Sequence, residues 1–210
     1  MKVKEKRSFL IGCIIGDCGI YYRTAKDLWE WDFCHSDAEL VAFKSKFLET
    51  ITGKSLNIGD KVSSTTGSIQ KRFTCSSKNG PLRIIANWFP YKKITDKIRF
   101  MDHPIGLAML VVDDSSINCA KKRHKNGSIY FLPPKIWIHT SMYSDEECNL
   151  LINHIENLCG AKGNLRKEKG KYNLIKFSFD DSRLIWAYIK DYIPTTKKLQ
   201  YKFRHCDRLN

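Results

Sequence analysis

The strongest constraint on this sequence is that one order of elements occurs in it twice. Ser8 precedes an apolar run, residues 9–15, that ends at Asp17, with Gly19 placed where a helix stops. Residues 20–34 are rich in Tyr, Trp and Phe and are interrupted by the polar stretch 24–27, a hairpin pattern. Ser36 and Glu39 have capping-box spacing ahead of Leu40, Val41, Phe43, Phe47 and Leu48, which recur at helical intervals until Gly53. Residues 56–63 and 69–76 predict a second hairpin around Thr66 and Gly67, and 81–89 a short helix begun by Pro81. Beyond the basic, proline-bounded stretch 90–104 the order returns. An apolar run over 105–112 ends in Asp113 and Asp114, and strands follow near 117–123 and 129–140. Ser144 and Glu147 then make a capping box before Leu150, Leu151, Ile155 and Leu158, and a hairpin (163–169, 172–179) and a helix (184–193) complete the copy. The acidic helix ends lie 97 residues apart and the capping serines 108, so the period is near half the chain. The expected fold is α+β: two pseudo-symmetric αββαββα units, each an antiparallel sheet backed by helices, with lobes at 1–92 and 104–210 and a link at 93–103.

Composition narrows the partner. Thirty-six Lys and Arg against 22 Asp and Glu give a formal charge of +14, more than solubility requires, which predicts a polyanionic partner. The sequence has no run of about 18 apolar residues and no basic amphipathic helix of the surface-binding kind, so a membrane falls behind nucleic acid. Lys2, Lys4, Lys6 and Arg7 before an apolar run imitate a secretory leader, but Gly12, Cys13 and Gly16 break the run and Asp17 ends it. It reads as structure. The eight cysteines form no C-x-x-C pair and no zinc-type Cys/His spacing, so free thiols in a reducing compartment are expected, a mitochondrial matrix or a bacterial or phage cytoplasm.

Both apolar runs end in acid, although a carboxylate in the last turn of a helix faces the negative end of the macrodipole and costs roughly 0.3–1 kcal/mol when exposed. A single Asp often ends a helix through side-chain turns. Repetition at equivalent points of both halves favours a shared role, and the like charges of Asp113 and Asp114 call for a compensating cation. Gly12 and Gly16, four apart on one helix face, would admit a second backbone, with Ala108 as the small surface on the partner. Helices crossing there would bring Asp17 and Asp114 together. Asp113 points roughly 100° away from Asp114 and reads equally as a helix-ending or a supporting acid.

Aligned on these acids, residues 10–18 read LIGCIIGDC and 107–115 read LAMLVVDDS, and both resemble the nine-residue motif of the LAGLIDADG family in its single-chain, intron-encoded homing endonucleases. The resemblance spans nearly the whole chain and includes the close 191–203, DYIPTTKKLQYKF, similar to the family's terminal proline-then-YK segment. It implies motif helices packed at a pseudo-twofold axis and two saddle-shaped sheets lying on double-stranded DNA. The implied activity is site-specific double-strand cleavage by a monomer that leaves 3′ overhangs, with Asp17 and Asp114 as catalytic metal ligands for Mg²⁺ or another divalent ion such as Mn²⁺. Lys93 and Lys202 best match the basic residue that the family places near the metals in each half, with Lys92, Lys97 and Lys198 as competitors. Cys18 and Ser115 stand where the family commonly has Gly after each acid, and Met109 stands at another motif Gly.

Strand alternation puts Lys135, Trp137 and His139 on one face and Ile136, Ile138 and Thr140 on the other, a DNA-facing and a core-facing side. Arg23, Lys26, Lys61, Lys71, Arg72, Lys121, Lys122, Arg123, Lys167 and Lys169 are further DNA-binding candidates on strands or hairpins. The alternative is a non-cleaving relative of the same fold, either a maturase for group I intron RNA or a DNA-binding regulator. Tyr21, Tyr22 or Trp29, if exposed, could stack on RNA bases. The two acids favour the nuclease, because a pure binder gains nothing from carboxylates facing phosphates.

Overall fold

The computed structural model describes residues 2–64 and 66–210. The first unit runs α1 (Val3–Ile15), β1 (Gly19–Arg23), β2 (Leu28–His35), α2 (Ala38–Thr52), β3 (Gly59–Val62), β4 (Ile69–Ser77) and α3 (Pro81–Trp88). The second runs α4 (Pro104–Asp114), β5 (Ser115–Asn118), β6 (Lys121–Arg123), β7 (Ile129–Phe131), β8 (Lys135–His139), α5 (Asp145–Cys159), β9 (Gly163–Glu168), β10 (Tyr172–Phe177) and α6 (Phe179–Ile189), and α7 (Lys197–Phe203) closes the chain. The two four-stranded antiparallel sheets have corresponding orders, β1-β2-β4-β3 and β5-β8-β10-β9, so the duplicated α+β architecture holds.

Each sheet buries one face under its helices. Trp29, Trp31 and Phe33 alternate inward from β2, as Ile136 and Ile138 do from β8. The central layer is the pair α1 and α4, whose residues 8–15 and 105–112 are all buried. A Cβ added at Gly12 would run into the Gly106 carbonyl, and one added at Gly106 would sit 2.6 Å from the Ser8 carbonyl oxygen, so the two backbones touch. Gly106 is therefore the small residue opposite Gly12, in place of Ala108. Gly106 was missed because it precedes the stretch that aligns with the motif.

Several helix starts differ from expectation, each because a better partner competes. α1 begins at Val3, and Ser8 lies buried inside it, its hydroxyl accepting the His103 N–H at 3.0 Å. Asp37, not Ser36, caps α2: its Oδ1 accepts the N–H groups of Glu39 at 3.1 Å and Leu40 at 3.3 Å. Glu39 turns instead to the Lys197 N–H at 3.1 Å. Ser144 and Glu147 do form their capping box on α5, and the second oxygen of Glu147 accepts the Ile94 N–H at 2.8 Å. The segment following each unit's third helix thus docks on the second helix of the other unit, and Thr196 adds a hydroxyl bond to Asp37 at 2.6 Å. α6 begins five residues early, at Phe179, capped by Ser178. The expected strand over 129–140 splits into β7 and β8 because Pro133 and Pro134 cannot donate to the ladder, leaving β6–β7 as a separate ribbon. All eight cysteines are free thiols. No helix among the described residues is long and apolar enough to cross a membrane.

Candidate active site

The site lies where α1 and α4 end together. The last carbonyls of a helix lack internal donors and carry the negative end of its dipole. At α1, the Cys18 N–H reaches back to the Cys13 carbonyl at 3.0 Å, the Tyr143 hydroxyl donates to the Ile15 carbonyl at 2.7 Å, and the Lys92 ammonium donates to the Gly16 carbonyl. At α4, the Lys202 ammonium donates to the carbonyls of Val111 at 2.9 Å and Val112 at 2.7 Å, and the Ser115 hydroxyl to that of Val111 at 2.5 Å. Each unit therefore sets one lysine against the end of its own central helix.

Asp17 is exposed just past α1, and Asp114, the last residue of α4, is half-buried. Enough protein surrounds the Asp17 carboxyl that desolvation, followed by the charge of Asp113, raises its pKa. Asp114 is pushed up to about 7, first by burial and then by the charges of Asp17 and Asp113. Burial lowers the Lys202 ammonium to about 8, against the pull of the three aspartates. The charges of Asp17 and Asp113 both oppose ionisation of Asp114, and a cation beside it would offset them. Among the described residues no group of three or more His, Cys, Asp or Glu forms a closed metal cage. Asp17 and Asp114 would supply few oxygens, which fits an ion such as Mg²⁺ that keeps waters and accepts substrate phosphate oxygens.

Of the basic pair expected here, Lys202 reaches the helix ends and Lys93 does not: Lys93 is exposed and extended, and its neighbour Lys92 points to the site. Tyr91 and Lys92 both lie in the left-handed region, with φ of 52° and 65°. That conformation costs non-glycine residues about 1–3 kcal/mol each, the kind of strain a placed functional group sustains. The turn is invisible in sequence, so the neighbouring lysine could not be separated. Cys18 and Ser115 are buried and bonded to backbone carbonyls, so neither crowds the acids.

Missed altogether were Lys44, Tyr143 and His35. The side chains of Lys44 and Asp113 are 5% and 0% exposed and pair at 2.5 Å. Lys44 lies on the buried stripe of α2 between Leu40, Val41 and Leu48, and a lysine at an apolar position was the available signal. His35 lines a small recess with Asp17, Cys18, Phe33, Cys34, Val41 and Lys44, and burial lowers its pKa.

The open faces of the two sheets carry most of the other candidates. Lys135, Trp137 and His139 do share the open face of β8, opposite the buried Ile136, Ile138 and Thr140. Pairing register adds Lys176 and Arg166, which were not singled out, and Lys176 stacks 4.0 Å from the centre of the Trp137 ring. In the first sheet Arg23, Lys61 and Arg72 share the open face with Tyr21, Glu30 and Asp32. Lys26 is in the β1–β2 turn, Lys169 at the β9–β10 tip, and Lys121, Lys122 and Arg123 on the exposed β6. Lys71 and Lys167 do not join them: they lie on the opposite faces, paired with Asp60 at 2.6 Å and Asp145 at 2.5 Å. Of the aromatics considered for stacking, Tyr21 and Tyr22 are exposed and Trp29 is buried with its indole N–H on Asn87.

Residues 7–184 match the model of the LAGLIDADG DNA endonuclease family. No curated protein matches the sequence. Among solved structures, the homing endonuclease I-WcaI bound to its DNA recognition sequence is 17% identical with a TM-score of 0.72, over 95% of this chain and 85% of that one. I-DmoI in complex with DNA and Mn is 15% identical with a TM-score of 0.59, over 93% and 100%. The N-terminal LAGLIDADG domain of DUF199/WhiA is 11% identical with a TM-score of 0.55, over 100% and 89%.

Proposed function

The chain belongs to the LAGLIDADG DNA endonuclease family, and we propose that it acts as a homing-type, site-specific endonuclease that cuts both strands of duplex DNA and leaves 3′ overhangs. The observation that carries this reading is the pair Asp17 and Asp114 at two touching helix ends, each end flanked by a lysine. A divalent ion bound by these carboxylates supplies Lewis acidity toward the phosphoryl oxygens and the leaving 3′ oxygen. Asp17 and Asp114 would hold and orient it, and a cation there would offset the charge that burial makes costly at Asp114. Lys202, whose ammonium burial lowers to about 8, is suited to hold or pass a proton at Nζ beside the scissile phosphate, and Lys92 takes the equivalent place in the other half. The two sheets, in lobes 1–92 and 104–210, carry the cations of their open faces toward the duplex. Because one chain carries both motif helices, it works as a monomer. I-WcaI and I-DmoI, which share the fold, are solved on DNA, the latter with Mn, which supports both ligands here.

The test is cleavage of a randomised duplex-DNA library with Mg²⁺ and with EDTA. Metal-dependent cuts at one long site, leaving short 3′ overhangs, are expected, and recovery of that site supplies the target. Tight binding to duplex without any cut would shift the reading to a maturase or regulator.

A further inference from the structure

The two halves of the site are built differently, and the difference is Asp113. At the equivalent position the first unit has Gly16, and the Asp113 carboxylate fills the space that glycine leaves: a Cβ on Gly16 would sit 2.5 Å from its Oδ2. The main chain at Asp17 needs a partner. The Cys13 carbonyl, which an ordinary helical turn would offer to Asp17, is taken by Cys18 in a wider closure at 3.0 Å, so the Asp17 N–H is bypassed. Asp113 Oδ2 accepts that N–H at 3.2 Å across the lobe boundary, while Oδ1 takes the buried Lys44 ammonium at 2.5 Å. Asp114 has no such arrangement, since α4 runs regularly through it.

The geometry points to Asp113 and Lys44 as a cross-lobe tether that fixes the backbone of Asp17, making both positioning residues and Asp113 not a third metal ligand. The inference rests on the nuclease reading for its consequence in cleavage and on hydrogen bonding alone for its existence. Lys44 occupies one Asp113 oxygen and the Asp17 amide the other, so both oxygens of that carboxylate are already engaged by donors of the first lobe. Because the tether fixes the backbone that carries Asp17, losing it slows cleavage without loosening the DNA-binding sheets.

Single substitutions would leave a buried charge unpaired and could unfold the chain, so the informative variants are double. Lys44→Met with Asp113→Ala removes the tether. Lys44→Met with Asp113→Asn keeps an acceptor oxygen for Asp17. Two measurements are made on the full chain: amide hydrogen exchange at Asp17 without DNA, and single-turnover cleavage of the library-derived site with each strand labelled. In the Ala variant the Asp17 amide should exchange faster and cleavage at saturating DNA should slow by about 10–100-fold, with Kd unchanged. The Asn variant should retain most protection and most activity at the same melting temperature as the Ala variant. An Ala variant that keeps wild-type protection at Asp17, or cuts both strands at wild-type rates, would overturn the tether. If the wild type cuts no DNA, the nuclease reading falls and the exchange measurement alone decides whether the tether exists.

Discussion

The first sheet pairs the cations of its open face with carboxylates, whereas those on the second sheet's open face have aromatic or hydroxyl neighbours instead. On the open face of β1-β2-β4-β3, Asp32 grips Arg72 through two hydrogen bonds of 2.7 and 3.0 Å, and Glu30 pairs with Arg23 at 2.7 Å. Asp32 is almost wholly buried and also faces Lys61 at 3.9 Å. The open face of β5-β8-β10-β9 carries Lys135, Lys176, Arg166 and His139, with Lys176 resting on Trp137 and His139 on Ser116 at 3.0 Å. Identical topology therefore supports two chemistries. An arginine fork fixed by a carboxylate is suited to reading a base edge, whereas ammonium groups on flexible stems are suited to phosphate.

The same asymmetry divides the acids, and it gives the largest expected effects. Asp17→Asn or Asp114→Asn should each lower cleavage by on the order of 10²–10³-fold with DNA binding retained, measured as single-turnover rates beside Kd. Persisting cleavage in either variant would remove that acid from the site. Stability separates the two. A carboxyl whose native pKa lies above its unfolded value holds its proton better when folded, so metal-free stability falls as pH rises from about 3.9 to about 7, the native value at Asp114. In EDTA at pH 8, Asp114→Asn should therefore raise the melting temperature by roughly 5 °C. Asp17→Asn should do less, because Asp17 is exposed. Equal gains would mean that the two acids feel the same surroundings.

What could be read beforehand, and what could not, follows the range of each interaction. The repeat, the capping box at Ser144 and the acidic helix ends are local patterns, and the structure contains them. Asp37 displaced Ser36 as a cap because Thr196, 159 residues away, also uses its carboxylate. Lys92 rather than Lys93 reaches the site because a left-handed turn rotates the chain there. Lys135, Trp137 and His139 share a face by simple alternation, but Lys176 and Arg166 join them only through strand register, and Lys71 and Lys167 leave by it. Asp113 could be placed about a helix, but its ammonium partner on α2 could not.

If Arg72 reads a base, Arg72→Ala should cost about 1–3 kcal/mol of discrimination at one position of the target half under the first sheet. Asp32→Asn should produce part of the same loss, since it frees the guanidinium without removing it. Library selection with each variant would show relaxed preference confined to that position. A uniform loss across all sequences would make Arg72 a phosphate contact and erase the contrast between the sheets.

The smallest effect tests the second sheet. A lysine that neutralises one phosphate releases condensed counterions when it binds, so its removal lowers the slope of log affinity against log salt by about 0.9. Lys135→Ala should do this and leave the sequence preference untouched, because Lys135 is exposed at the outer end of β8. Lys176→Ala should behave alike but weaken binding more, since the ring of Trp137 holds its ammonium in place before DNA arrives. Salt titrations of the two variants beside Arg72→Ala would sharpen the comparison. If Lys176→Ala altered base preference instead, the Trp137–Lys176 stack would be a reading element, and the second sheet would discriminate sequence as the first does.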